Sequence, residues 1–326
     1  MKDYATLLTL FSDHLEKHTA GLSKKFPKEL YEPESYILSL GGKRVRPLLA
    51  LIASDLFDKN PALALDAALS VELFHNFSLI HDDILDAAPL RRNQATVHVK
   101  WNTNIAILSG DVMLVKAFQC LESYNADAFK SLSKLFNTTA IEVCEGQQLD
   151  MNYETADSVP VKAYLDMIAL KTAVLLGCSL KMGAIAANAS TEDQNHLYEF
   201  GKQLGLSFQL LDDLLDAFAV DNEKFGKQTG GDIIANKKTF LLLSAMELAS
   251  PQQRAEIKRI MSLTDSREKV KSMLVIFSEL NIKKLCEDEA DKHTQSALNF
   301  LDKVNASAEK KEKLKQFALE LLNRQV

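Results

Sequence analysis

Two segments of this chain put clustered carboxylates into apolar helical patterns. Leu79-Ile80-His81-Asp82-Asp83-Ile84-Leu85-Asp86 and Gln209-Leu210-Leu211-Asp212-Asp213-Leu214-Leu215-Asp216 both read Asp-Asp-x-x-Asp. At ~100° per residue, Asp82 and Asp86 fall about 40° apart, and Asp83 about 100° from Asp82, so three carboxylates crowd one face. His75 lies about 20° from Asp82 on the same stripe, and Gln209 and Gly205 lie within about 60° of Asp212. Like charges one turn apart destabilise a helix, and burying them costs more unless cations compensate. Hard divalent ions with oxygen ligands answer that cost, and Mg²⁺ is the usual choice where phosphates complete the shell. One such motif could be an exposed acidic patch. Two copies, both flanked by Leu and Ile, favour metal.

Basic groups that could meet a phosphate are also present. Gly41-Gly42-Lys43-Arg44-Val45-Arg46-Pro47 leads into a helix. Its glycines let backbone N–H groups approach an anion, the helix N-terminus adds a favourable dipole, and Lys43 and Arg46 supply charge. A plain basic loop with a Gly-Gly turn is the alternative. Arg91-Arg92 follow Asp86 closely, a position suited to clamping a diphosphate. Lys171-Thr172 interrupt the apolar stretch Met167–Gly177, where the lysine either snorkels to the surface or serves the site. Other apparent motifs fail. Glu72-x-x-His75 has no second copy to complete a di-iron set. Gly226-Lys227-Gln228 is no P-loop, and no Gly-x-Ser-x-Gly elbow occurs.

The elements that must position these groups are helical. Apolar residues recur with helical period over 47–58, 61–88, 104–123, 127–152, 160–188 and 192–219, then in shorter pieces. Alternating β-type runs are nearly absent, and 12 Gly and 7 Pro in 326 residues are too few for a turn-rich sheet protein. The polar insertion 221–239, with Lys224, Lys227, Lys237 and Lys238, reads as a mobile basic flap. The C-terminal run Glu309–Lys313 reads as the solvated face of a helix, with Leu314, Phe317, Leu321 and Leu322 below it.

Composition narrows the classes. The net charge of −6 argues against a dedicated nucleic-acid surface. Cys120, Cys144, Cys178 and Cys286 have no zinc spacing and read as buried free thiols. The N-terminus does not read as a signal peptide, and no apolar run approaches the ~18 residues of a transmembrane segment. The cytoplasm is therefore the expected location.

Taken together, the motifs resemble those of the trans-isoprenyl diphosphate synthases, the polyprenyl synthetase family. Gly-Gly-Lys-Arg-x-Arg-Pro, both Asp-rich motifs, Arg91-Arg92, Ser109-Gly110-Asp111, Lys171-Thr172, Phe208-Gln209, Gly226-Lys227, Gly231-Asp232 and Lys237-x-Thr239 occur in the family's order. The match runs from about Gly41 to Thr239. One departure is Asn93, where the family often has Gly after the Arg pair.

The resemblance implies an all-α fold, residues 1–326 forming a single-domain helical bundle around a deep central cavity, usually as a homodimer. It implies Mg²⁺, three ions per active site, on Asp82, Asp86 and Asp212. Asp83, Asp213 and Asp216 would be further ligands or outer-shell support. Lys43, Arg46, His75 and Arg92 would hold isopentenyl diphosphate. Arg91, Lys171, Gln209, Lys227 and Lys237 would hold the allylic diphosphate, with Thr172 and Gln209 near the developing cation. The reaction is ionisation of the allylic diphosphate, attack by the double bond of isopentenyl diphosphate, and loss of a proton, lengthening the chain by five carbons. Closure of the 221–239 flap would exclude solvent.

In this family the residue five before the first motif aspartate often limits product length. Here it is Phe77, beside Ser78, and the first motif has no two-residue insertion. That combination resembles geranylgeranyl diphosphate synthases. Phe74 is a second candidate for the floor, and ordinary core packing is the alternative for either ring. A farnesyl or longer-chain polyprenyl diphosphate synthase is the nearest alternative. A terpene cyclase would leave Lys43, Arg46 and His75 unexplained, and a non-catalytic synthase subunit would not need intact metal motifs.

Overall fold

The computed structural model describes residues 3–218 and 230–323. The chain opens with α1 (Tyr4–Leu22), α2 (Lys28–Ser39), α3 (Val45–Leu56) and α4 (Leu65–Leu85), the last preceded by a short 3₁₀ turn at Pro61–Ala64. A two-residue antiparallel hairpin, β1 (Leu90–Arg91) and β2 (Gln94–Ala95), follows with Leu90 opposite Ala95. The helices α5 (Val97–Lys100), α6 (Thr103–Gln119), α7 (Ala126–Thr155), α8 (Val161–Ile168), α9 (Val174–Ala186) and α10 (Thr191–Phe218) come next, with a π-helical turn at Ala169–Ala173. The remaining helices are Gly231–Ile234, Phe240–Leu248, Pro251–Met261, Ser266–Glu279, Ile282–Asp302 and Ala308–Leu322. The fold is all-α, as the periodicity predicts, and α4, α6, α7 and α10 lie close to their expected bounds. Helices α1 and α2 cover a stretch the periodicity left undivided.

Local chemistry sets several helix starts. The Asp3 carboxylate accepts the Thr6 N–H at 2.7 Å, and the Asn102 carbonyl oxygen accepts the Ile105 N–H at 2.9 Å. Each side chain satisfies an amide that the first helical turn leaves open. Ser250 and Gln253 form a reciprocal capping box at the start of Pro251–Met261.

The chain divides into two compact units. The first holds Met1–Thr138, Cys178–Tyr198 and Val304–Lys311; the second holds Thr139–Gly177, Glu199–Lys303 and Glu312–Val326. In the first unit α3 is buried from Pro47 to Leu56, and α4 buries Ala67–Phe74, Asn76, Phe77 and Ile80. In the second, Tyr164, Met167, Leu210, Leu214, Phe240–Leu243, Phe277 and Cys286 share one apolar core.

Three expectations need correcting. By length and composition Pro61–Leu85, Thr103–Ser123 and Val161–Ala186 are each long and apolar enough to cross a membrane. Averaged over a helix, isolated polar residues do not cancel the apolar majority. In the thiol set, Cys178 and Cys286 are buried, but Cys144 is exposed and Cys120 only partly covered. Within the C-terminal charge run Lys310 is buried, donating to the Asp58 carboxylate at 2.7 Å and to the Asp55 carbonyl. That position therefore packs within the first unit instead of facing water.

Candidate active site

In the first unit the first Asp-rich motif closes α4. Its aspartates have different surroundings. Asp83 is buried, and its two oxygens accept a fork from Arg91, Nε at 2.8 Å and Nη2 at 2.7 Å. Arg91 Nη2 also lies 3.7 Å from Asp82 Oδ2. Asp82 is partly exposed and Asp86 fully so, the latter sitting at the helix C-cap. The guanidinium expected to hold an allylic diphosphate is thus taken up by Asp83.

The hairpin that delivers Arg91 turns through Arg92 and Asn93, with φ of 53° and 61°. Two left-handed residues in a two-residue loop make the twist that matches antiparallel strands, and Asn tolerates that conformation better than most side chains. The Asn93 departure is therefore accommodated. The Tyr36 hydroxyl donates to the Ala95 carbonyl at 2.8 Å and pins the second strand.

The Gly-Gly-Lys-Arg segment meets this hairpin. The Arg92 guanidinium donates to the Gly41 carbonyl and lies against Gly42, where a Cβ would come within 2.8 Å of Arg92 Nη2. Gly42 also has φ of +126°, which L side chains rarely adopt. Arg44 adopts φ of 48°, and its guanidinium turns inward to Glu72 and the Leu38 carbonyl. Arg46 Nη1 lies 3.2 Å from His75 Nε2. Burial and the charges of Arg46, Arg92, Arg91 and Arg44 push the His75 imidazole well below its ordinary pKa, so it is a neutral acceptor. Burial brings the Arg46 guanidinium down to about 10, so it stays charged at neutral pH. Its Nε is buried with no hydrogen-bond acceptor. Arginines crowded round a neutral imidazole, with one N–H unanswered, describe a place that an anion would complete. Lys43 is exposed at the rim.

The second Asp-rich motif occupies the end of α10, in the second unit. Asp213 is buried and accepts from the Tyr164 hydroxyl at 2.6 Å, Gln209 Nε2 at 3.2 Å and the Phe240 N–H at 3.3 Å. Burial pushes its carboxyl up to about 7, against the pull of the Tyr164 hydrogen bond and with the Asp232 charge behind it. Asp216 Oδ2 accepts the Asp232 N–H at 2.9 Å. Asp212 and Asp216 are partly exposed. Asp213, Asp216, Asp232, Lys237 and Thr239 line a cleft of this unit. Lys237 is exposed there, and Lys227 lies outside the described residues.

Lys171 and Thr172 sit in the π-helical turn between α8 and α9. Such turns are frequent at functional sites, because the extra residue re-aims side chains. Lys171 Nζ donates to Asp150 on α7 at 2.6 Å. Sequence reasoning did not select Asp150 or Tyr164, which hold the selected Lys171 and Asp213, or Glu72, which holds Arg44 of the Gly-Gly-Lys-Arg segment. Glu72 carried a signal, since an acid amid Leu and Val on a buried helix needs a cation. Asp150 and Tyr164 reach partners distant in sequence and carried none.

The floor candidates form a run of rings in the first unit. Phe77 packs on Phe74 with centroids 5.6 Å apart, and Phe74 meets Phe136 of α7 at 5.5 Å. Phe74 is 1% exposed and Phe77 9%. The Ser78 hydroxyl donates back to the His75 carbonyl at 2.8 Å.

The donors suit Mg²⁺. Both triads offer only carboxylate oxygens, and among the described residues no three His, Cys, Asp or Glu side chains already form a metal cage. Mg²⁺ usually takes one or two carboxylates and completes its shell with water and substrate phosphate, so a ready-made cage is not required.

Comparison with known proteins identifies the family. The polyprenyl synthetase family profile matches residues 27–277. A geranylgeranyl diphosphate synthase from Methanosarcina mazei is 41% identical over 223 residues, 68% of each chain. A geranylfarnesyl diphosphate synthase from Natronomonas pharaonis is 38% identical over 239 residues, 68% of this chain and 70% of its own. The crystal structure of a geranylgeranyl pyrophosphate synthase superposes with a TM-score of 0.94 at 44% identity, covering 100% of both chains.

Proposed function

Because the chain belongs to the polyprenyl synthetase family, we propose that it condenses isopentenyl diphosphate head to tail with allylic diphosphates and stops at the twenty-carbon geranylgeranyl diphosphate. In this reading Arg46, His75, Arg92 and Lys43 hold isopentenyl diphosphate. Neutral His75 fixes the direction of Arg46, and the unanswered Arg46 Nε donates to the diphosphate. That unanswered N–H is the observation that carries the proposal.

Asp82, Asp86, Asp212 and Asp216 are the partly or fully exposed carboxylates of the two motifs, and they are assigned to Mg²⁺. When bound, Mg²⁺ neutralises the allylic diphosphate and makes it a better leaving group. Asp83 and Asp213 are outer support, because Arg91 and Tyr164 already occupy them. Lys171 and Lys237 face the allylic diphosphate as basic partners. Gln209 and Thr172 present polar groups near the allylic carbon, where positive charge develops. Apolar walls exclude water from that charge. The proton lost after carbon–carbon bond formation leaves with the diphosphate. The enzyme works in the cytoplasm as a homodimer.

The test is steady-state kinetics of Arg46→Gln with each substrate varied in turn. The KM for isopentenyl diphosphate rises roughly tenfold to a hundredfold, the scale of a lost charged hydrogen bond. The KM for the allylic substrate stays put. An equal rise in both constants would remove Arg46 from a dedicated isopentenyl diphosphate site.

A further inference from the structure

His81 precedes the first metal motif and has no part in the chemistry assigned above. Its surroundings are specific. The imidazole meets the Phe77 ring edge-on, with centroids 4.7 Å apart and planes at 62°. Its Nε2 lies 3.3 Å from the Ile107 carbonyl and 3.7 Å from Asp111 Oδ1 on α6. The ring also presses against Gly110, where a Cβ would lie 2.5 Å from Nε2 and 2.7 Å from Cδ2. That same Cβ would come within 3.5 Å of Phe77 Cδ2. The first two distances are too short for a real Cβ, so with the His81 ring where it sits position 110 takes glycine; the contact to Phe77 would be an ordinary one.

Phe77 and His81 are one helical turn apart and share a stripe of α4. The Phe77 ring is therefore held between Phe74 and His81, and His81 is itself seated against Gly110. That support matters if Phe77 is the stop for a growing apolar chain. Turning a lone phenylalanine out of its rotamer costs less than burying another five carbons returns. An unsupported Phe77 would yield to the product and pass a longer chain. A ring that can rotate only by expelling a neighbour from a packed contact does not yield.

We propose that His81, seated on Gly110, is a positioning residue for product length: it clamps the Phe77 ring in the blocking orientation. The proposal rests on the reading of Phe77 as the stop, and the experiment separates the two. Parent enzyme, Phe77→Ala, His81→Ala and His81→Phe are compared by product sizing with a fifteen-carbon allylic primer, and each is titrated with Mg²⁺. Phe77→Ala shifts the main product beyond twenty carbons. His81→Ala produces a mixture with a severalfold larger share of chains beyond twenty carbons, at an unchanged half-saturating Mg²⁺ concentration. His81→Phe keeps a ring against Gly110 and retains the parent profile.

Longer products from Phe77→Ala with an unchanged His81→Ala profile would overturn the clamp and leave the stop standing. A His81→Ala effect seen only in the Mg²⁺ titration would also overturn it, assigning His81 to the adjoining metal motif. A His81→Phe profile as long as that of His81→Ala would overturn clamping by ring packing. An unchanged Phe77→Ala profile would overturn the stop, and the clamp with it.

Discussion

At the scale of residues, identical motifs divide their labour by environment. Asp82 and Asp83 are neighbours, yet the guanidinium of Arg91 engages both oxygens of Asp83 and leaves Asp82 at the periphery of the pair. In the second motif Asp213 is drawn inward by Tyr164, a residue on another helix. The sequence made the triads legible, since carboxylates at helical spacing in an apolar run need an explanation. Which aspartate turns inward was not legible, because the partners are set by tertiary structure.

The raised pKa of Asp213 has a testable consequence. A carboxyl that titrates at about 7 in the folded chain and near its ordinary value when unfolded leaves the folded state with the extra proton between those limits. Stability therefore falls as pH rises through that window, with the whole penalty present above about 7. Asp213→Asn keeps an acceptor for Tyr164 and carries no charge. In metal-free buffer, the urea midpoint of the parent falls more from pH 5 to pH 8 than that of Asp213→Asn. Equal falls in the two proteins would show that Asp213 does not titrate in this range.

At the scale of elements, helix ends and turns aim the chemistry. The hairpin through Arg92 and Asn93 returns Arg91 to α4, while the Gly41-Gly42 loop accepts Arg92 on its surface. The helices themselves were legible because their periodicity is local: α6 and α10 lie close to their predicted spans. The π-helical turn at Ala169–Ala173 was not, since it inserts a residue without changing the apolar pattern. Gly42 gives this scale its prediction. Gly42→Ala forces both an unfavourable φ and a collision with the Arg92 guanidinium. Thermal stability drops by about 1–2 kcal/mol, and the KM for isopentenyl diphosphate rises while that for the allylic substrate does not. A variant with parental values in both assays would mean that the loop does not brace Arg92.

At the scale of the molecule, the units are not beads joined by linkers. The chain passes from one to the other at 138/139, 177/178, 198/199, 303/304 and 311/312. Four of those positions fall inside continuous helices, namely α7, α9, α10 and Ala308–Leu322. We propose on that ground that residues 1–326 behave as a single domain, since neither unit can unfold without breaking helices it shares with the other. Calorimetry then gives one transition whose van't Hoff and calorimetric enthalpies agree; two resolved transitions would divide the chain into separate domains. The first unit carries the first Asp-rich motif and the second unit the other. The most direct test of the proposed catalysis is a product assay. Parent protein and Asp82→Ala are incubated with Mg²⁺, labelled isopentenyl diphosphate and five-, ten- or fifteen-carbon allylic primers, and the dephosphorylated alcohols are sized. The parent yields mainly the twenty-carbon alcohol from every primer, while Asp82→Ala loses about a hundredfold or more of the turnover. Failure of the folded parent to elongate any primer would contradict the assigned activity.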